Sequence, residues 1–110
     1  YKKKGCKFPK ILSKNCYISK KSRIGEGTIV LHKSVINRNV TIGKNCIINT
    51  GSIIEHNVKI EDNVHVAPGS IILGNCVIKN NSFIGAGSVI KQNTIIKENT
   101  IIPANLYIKK

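Results

Sequence analysis

The chain has 110 residues, enough for one modest domain. Ile fills 21 positions, Lys 16 and Asn 13, a composition that favours strands and turns over helices. No apolar run exceeds three residues, which excludes a transmembrane helix, and no signal-peptide hydrophobic stretch is present. The absence of an initial Met gives the expectation of a cytoplasmic chain trimmed at its N-terminus.

The formal net charge of +13 is unevenly spread. Residues 1–21 carry eight Lys and no acid, whereas residues 22–110 set eight Lys and two Arg against Glu26, Glu55, Glu61, Asp62 and Glu98. A nucleic-acid interface would want a clustered basic stripe interleaved with aromatics. With only Phe8, Phe83 and three Tyr, that class is disfavoured. The body reads instead as a Lys-rich solvated surface that helps phosphate-bearing ligands approach.

After the lead 1–11, every sixth residue from Leu12 through Ile18, Ile24, Val30 and Ile36 to Ile108 is aliphatic, seventeen positions in all. Two residues before each lies a mostly small side chain, such as Cys16, Ser22, Thr28 or Ser88. Three residues after it stands Asn or Gly in fourteen of sixteen cases, with Lys21 and Lys33 the exceptions. The spacing predicts a short strand per hexad, small residue and aliphatic pointing inward and the residue between them outward. The Asn or Gly then supplies the positive φ of a corner at least cost. Repetition coils the chain into an all-β prism with stacked aliphatic ladders inside. This pattern resembles the hexapeptide-repeat left-handed parallel β-helix. That resemblance implies the handedness, the triangular section and about five coils of 18 residues.

Cys16, Cys46 and Cys76 share the small inward position 30 residues apart, so they fall on three different walls. They read as buried thiols of a reducing compartment. No spacing suits a metal site. On the first wall (Ile36, Ile54, Ile72, Ile90, Ile108) the outward residues are Val35, Ile53, Ile71, Val89 and Tyr107. On the third (Val30, Ile48, Val66, Ile84, Ile102) they are Ile29, Ile47, His65, Phe83 and Ile101. The second wall is mixed, with Arg23, Thr41 and Lys59 among its outward residues. Apolar outer walls of that length call for cover. A first wall packed on a neighbour's third wall joins unlike surfaces and closes most simply as a homotrimer.

Of the three histidines, His32 reads as an ordinary corner residue. His56 lies on the corner leaving the first wall, with Arg38 and Gly74 as stacked neighbours. His65 is the polar interruption of the third wall, and in the expected ring it faces the rim that carries His56.

The run Lys7-Phe8-Pro9, Ile24-Gly25-Glu26-Gly27-Thr28, Asn49-Thr50-Gly51, Glu55-His56, Val64-His65-Val66-Ala67-Pro68-Gly69 and Ile84-Gly85-Ala86-Gly87 resembles the NeuD-type sugar acetyltransferases. The resemblance implies a trimer using acetyl-CoA in clefts between prisms. It implies His56 as general base, His65 contacting acetyl-CoA near the thioester, and Gly74 as a backbone N–H facing the oxyanion. Asn49 becomes a polar, substrate-side residue near the base, and Ala86 and Ala104 become cofactor-groove positions. Where the family usually has an acid directly after the catalytic His, this chain has Asn57, so the expectation is that Glu55, the adjacent carboxylate, takes that catalytic role or that the base is weaker. The family's N-terminal α/β sugar-nucleotide domain is expected to be absent, with 1–11 its linker remnant and 12–110 the β-helix. The expected function is N-acetylation of a nucleotide-linked amino sugar. The alternatives are a sialic-acid-type O-acetyltransferase and a catalytically inactive scaffold. An ice-binding helix would need a regular array such as Thr on one wall, which the outward residues do not provide.

Overall fold

The computed structural model describes residues 9–109, so the Lys7-Phe8 part of the motif run and residues 1–8 of the expected linker lie outside the described residues. Within this range the chain forms seventeen two-residue strands, from β1 (Ile11–Leu12) to β17 (Tyr107–Ile108), and no helix. Ile11 thus belongs to the first strand and not to a linker. Each strand pairs in parallel with the one 18 residues on, as in Ile29↔Ile47 and His65↔Phe83. The pairs assemble into two six-stranded sheets and one five-stranded sheet, which are the three walls of a parallel β-helix.

The hexad explains each layer of this structure. Ile36, Ile48, Ile54, Ile72, Ile78, Ile84 and Ile90 are fully buried and stack as ladders inside the prism. Each such side chain contributes about 1.5–3 kcal/mol by leaving water. From Gly27 to Asn105, all fourteen corner residues at six-residue spacing have positive φ, Lys33 included at 59°. Asn15 and Lys21 are not among them, contrary to the expectation for Asn15. The difference goes with where their N–H groups are bonded. A later corner residue donates its N–H to the coil below, as Gly51 does to the His32 carbonyl. Asn15 and Lys21 instead donate to the hydroxyls of Ser13 and Ser19 in their own turn.

The small inward residues do more than fit. Ser34, Ser52, Ser70, Ser82 and Ser88 each donate their hydroxyl to a backbone carbonyl fifteen residues on, at a corner of the next coil. Cys46 and Cys76 make the same bond through sulfur, to the carbonyls of Glu61 and Lys91. These contacts satisfy carbonyls that the corner would otherwise bury unpaired. The described thiols are all free, with Cys46 and Cys76 buried and Cys16 half-buried. Burial pushes the Cys46 and Cys76 thiols above their ordinary value of 9.0. A raised pKa holds the folded thiol neutral where the unfolded thiol ionises. The stability it contributes is complete below pH 9.0 and declines as pH rises toward the folded value. At pH 8 a thiol-specific reagent should leave Cys46 and Cys76 unmodified in the native chain and label both after unfolding.

The corners give a second expectation. Gly51 sits at φ 71°, and nothing lies within 4 Å of where its Cβ would be, so any penalty there is backbone strain alone. Gly51→Val should destabilise by about 2 kcal/mol. Lys33→Asn should stabilise by about 1 kcal/mol, because Asn tolerates the left-handed region better than Lys. Thermal unfolding of the two variants checks both signs.

Candidate active site

The corner leaving the first wall stacks Arg38, His56 and Gly74 in successive coils, since residues 18 apart lie over one another. Gly74 is the position that lets the imidazole pack close against the edge. A Cβ there would come within 2.9 Å of His56 Cε1 and 3.1 Å of Nε2. Only the absence of a side chain allows this approach. The Arg38 and Thr50 corner N–H groups are taken by neighbouring asparagine oxygens, and those of Lys44 and Asp62 by side chains of the coil above. No acceptor among the described residues takes the Gly74 N–H, nor the corner N–H groups of His32, His56, Ala86, Gln92 and Ala104; the Gly74 donor is set apart by the imidazole beside it. An exposed imidazole and an unengaged backbone donor therefore adjoin on one edge. The imidazole lines an open cavity of about 420 Å³ together with Asn37, Arg38, Asn39 and Asn57, on the side of the ring away from Gly74.

The ring's hydrogen-bond partner is Asn57, whose Nδ2 lies 3.3 Å from His56 Nδ1. Asn57 occupies the positive-φ corner at 59°, which brings its short amide back beside the preceding residue. Glu55, the carboxylate expected to assist the base, is bonded elsewhere. Its Oε1 accepts a hydrogen bond from Asn37 Nδ2 at 3.2 Å. Asn37 is held in turn because its Oδ1 accepts the Arg38 N–H at 2.8 Å. Sequence reasoning missed Asn37, whose only sequence signal is that it stands 18 residues before Glu55.

Asn49 and His65 meet on the third wall. Asn49 Nδ2 is 3.4 Å from His65 Nε2, and Asn49 Oδ1 accepts the Thr50 N–H at 2.7 Å. The His65 ring stands edge-on to Phe83, centroids 5.0 Å apart at 83°. Ala86 and Ala104 are exposed and stacked on the corner leaving that wall, where the Asn105 N–H donates to the Ala86 carbonyl. Within one chain the structure therefore brings His56 to Gly74 and Asn57, and Asn49 to His65. It does not join the two groups. His65 is on the third wall's outer face, and His56 is on the corner between the other two walls. Among the described residues no group of three His, Cys, Asp or Glu could hold a metal ion.

Residues 21–56, 39–74 and 75–110 each match the family described as bacterial transferase hexapeptide (six repeats). The chain belongs to the bacterial transferase hexapeptide family. None of the curated proteins matches it in sequence. Among solved structures, it is similar to the acetyltransferase domain of PglB from Neisseria gonorrhoeae FA1090. The two are 28% identical with a TM-score of 0.94, over 96% of this chain and 51% of that one. The same domain in complex with acetyl coenzyme A is 27% identical at a TM-score of 0.91, over 94% and 53%. A mutant of perosamine N-acetyltransferase from Caulobacter crescentus, in complex with CoA and GDP-perosamine, is 25% identical at a TM-score of 0.95. That match covers 96% of this chain and 50% of the other. The hexapeptide chain thus spans about half the length of these structures.

Proposed function

We propose that this hexapeptide chain carries the acetyl-transfer site of an acetyl-CoA-dependent sugar acetyltransferase, acting on the amino group of a nucleotide-linked sugar. The observation that carries the reading is the His56 ring laid on Gly74 beside an unengaged N–H. The likeness to structures holding acetyl coenzyme A, or CoA with GDP-perosamine, supports the choice of substrates.

In this reading the acceptor nitrogen attacks the thioester carbonyl carbon while His56 takes the proton it loses. The negative charge that develops on the carbonyl oxygen is met by the Gly74 N–H. Collapse re-forms the carbonyl and breaks the C–S bond. The proton held by His56 then goes to the departing CoA sulfur. A positioned base of this kind commonly gives about 10²–10⁴-fold, and one backbone donor to the oxyanion is worth roughly 3 kcal/mol. Asn57 can serve the ring in either tautomer, because an amide offers oxygen to Nδ1–H or nitrogen to its lone pair. No acyl-enzyme is needed, and the buried thiols are not placed as nucleophiles.

The same reading builds each site between two neighbouring chains of a trimer. The half-buried outward residues Val35, Ile53, Ile71 and Val89 of the first wall would pack against Ile29, Ile47 and Phe83 of a neighbour's third wall. His56 at the rim of one prism and His65 on the next would then flank one groove, with Ala86 and Ala104 lining its cofactor end. Light scattering at micromolar concentration should give three times the chain mass, and a monomeric mass contradicts the shared groove.

Thiol release from acetyl-CoA, measured with a panel of nucleotide-linked amino sugars, tests the chemistry. His56→Ala should lower transfer by at least about 100-fold. Gly74→Ala should also lower it, because the new Cβ displaces the ring, while the fold is retained. Parental activity in His56→Ala removes the imidazole from the reaction.

A further inference from the structure

Asn37 and Asn49 use one device. Each directly follows an inward aliphatic, and each turns its Oδ1 onto the next backbone N–H, at 2.8 Å for Arg38 and 2.7 Å for Thr50. With the oxygen so committed, the amide NH₂ is the only part of the side chain left to face the coil above. For Asn37 that nitrogen meets the Glu55 carboxylate, an acceptor, as the chemistry requires. For Asn49 it meets His65 Nε2. A donor held against a ring nitrogen selects the tautomer in which that nitrogen is a lone pair.

We propose that Asn49 is a positioning residue that fixes His65 as the Nδ1–H tautomer, making the neutral ring a hydrogen-bond donor through Nδ1 and barring it from acting as a base through Nε2. Three further contacts hold the pair in place. The Asn49 N–H donates to the Val66 carbonyl at 2.9 Å, and the Asn49 carbonyl accepts the Ser34 hydroxyl at 2.8 Å. Phe83 braces the imidazole edge-on. The Nδ1–H has no acceptor among the described residues, so it is available to a ligand. The ligand chemistry that suits it is a neutral acceptor such as a carbonyl oxygen. The two histidines then divide their work by environment. His56 has Asn57, whose amide can turn, and His65 has Asn49, whose amide cannot. The functional half of this inference rests on the acetyl-transfer reading, whereas the tautomer does not.

The test is long-range ¹H–¹⁵N correlation on the uniformly labelled full chain, about two pH units above the ordinary imidazole pKa. The parent His65 should show a pyrrole-type Nδ1 and a pyridine-type Nε2. Asn49→Asp keeps an oxygen for the Thr50 N–H but offers Nε2 an acceptor, so it should reverse the assignment to Nε2–H. Asn49→Ala should release the ring to a mixture. A parent ring already in the Nε2–H form overturns the proposal without need of any variant. In the acetyl-transfer assay Asn49→Asp should raise KM for acetyl-CoA about tenfold, the worth of one hydrogen bond, with kcat changed much less. A reversed tautomer with unaltered KM overturns the functional half. A parent with the Nδ1–H form but no transferase activity overturns the acetyl-transfer reading and leaves the tautomer assignment standing.

Discussion

Parallel hydrogen bonding between coils fixes residue n over residue n + 18, and every other feature of this protein follows from that register. The strands donate upward, as Ile29 does to the Cys46 carbonyl, and the corners donate downward, as Gly51 does to His32. A coil is therefore held from both sides by backbone groups whose positions no side chain chooses. Slipping one residue would turn every inward Ile to solvent and every outward residue to the core. With the aliphatic ladders fully buried, such a slip is ruled out by many kcal/mol, so the register is rigid enough to build a site on.

That rigidity makes chemistry at the corners cheap. A corner column has a fixed spacing and little freedom, so a glycine at one level opens room for a ring at the level below. Gly74 and His56 are such a pair. The side chains around them are steadied by asparagines bonded to their own backbone, not by buried charge pairs. An ion pair between Lys44 and Glu26, at 3.9 Å, lies on a different corner. The candidate site is held by amide hydrogen bonds and by the absence of one Cβ. Neither is weakened much by salt, in contrast to a surface ion pair.

Most of the fold was legible because a six-residue period leaves few other solutions. The aliphatic period from Leu12 to Ile108 gave the strands and Asn and Gly marked most corners, whereas Lys33, an exception to that pattern, also takes the positive-φ corner. Asn15 and Lys21 differed, since their N–H groups are taken by the hydroxyls of Ser13 and Ser19 in their own turn, a local bond that the six-residue period does not encode. The His56–Gly74 contact was legible too, being a direct reading of the 18-residue offset. The amide network was not. Whether Glu55 faces His56 or Asn37 depends on rotamers at a corner, and neighbours in sequence need not point together. The Asn49–His65 pair spans sixteen residues, off the stacking register, so no count along the chain would have found it.

The most direct measurement of the central claim is a crystal structure of this chain with CoA bound. The account predicts the CoA sulfur beside the His56 ring and the Gly74 N–H, with His65 of a neighbouring subunit facing the same groove. A sulfur lying against another corner of the prism, or a groove that neither His56 nor Gly74 lines, would contradict it.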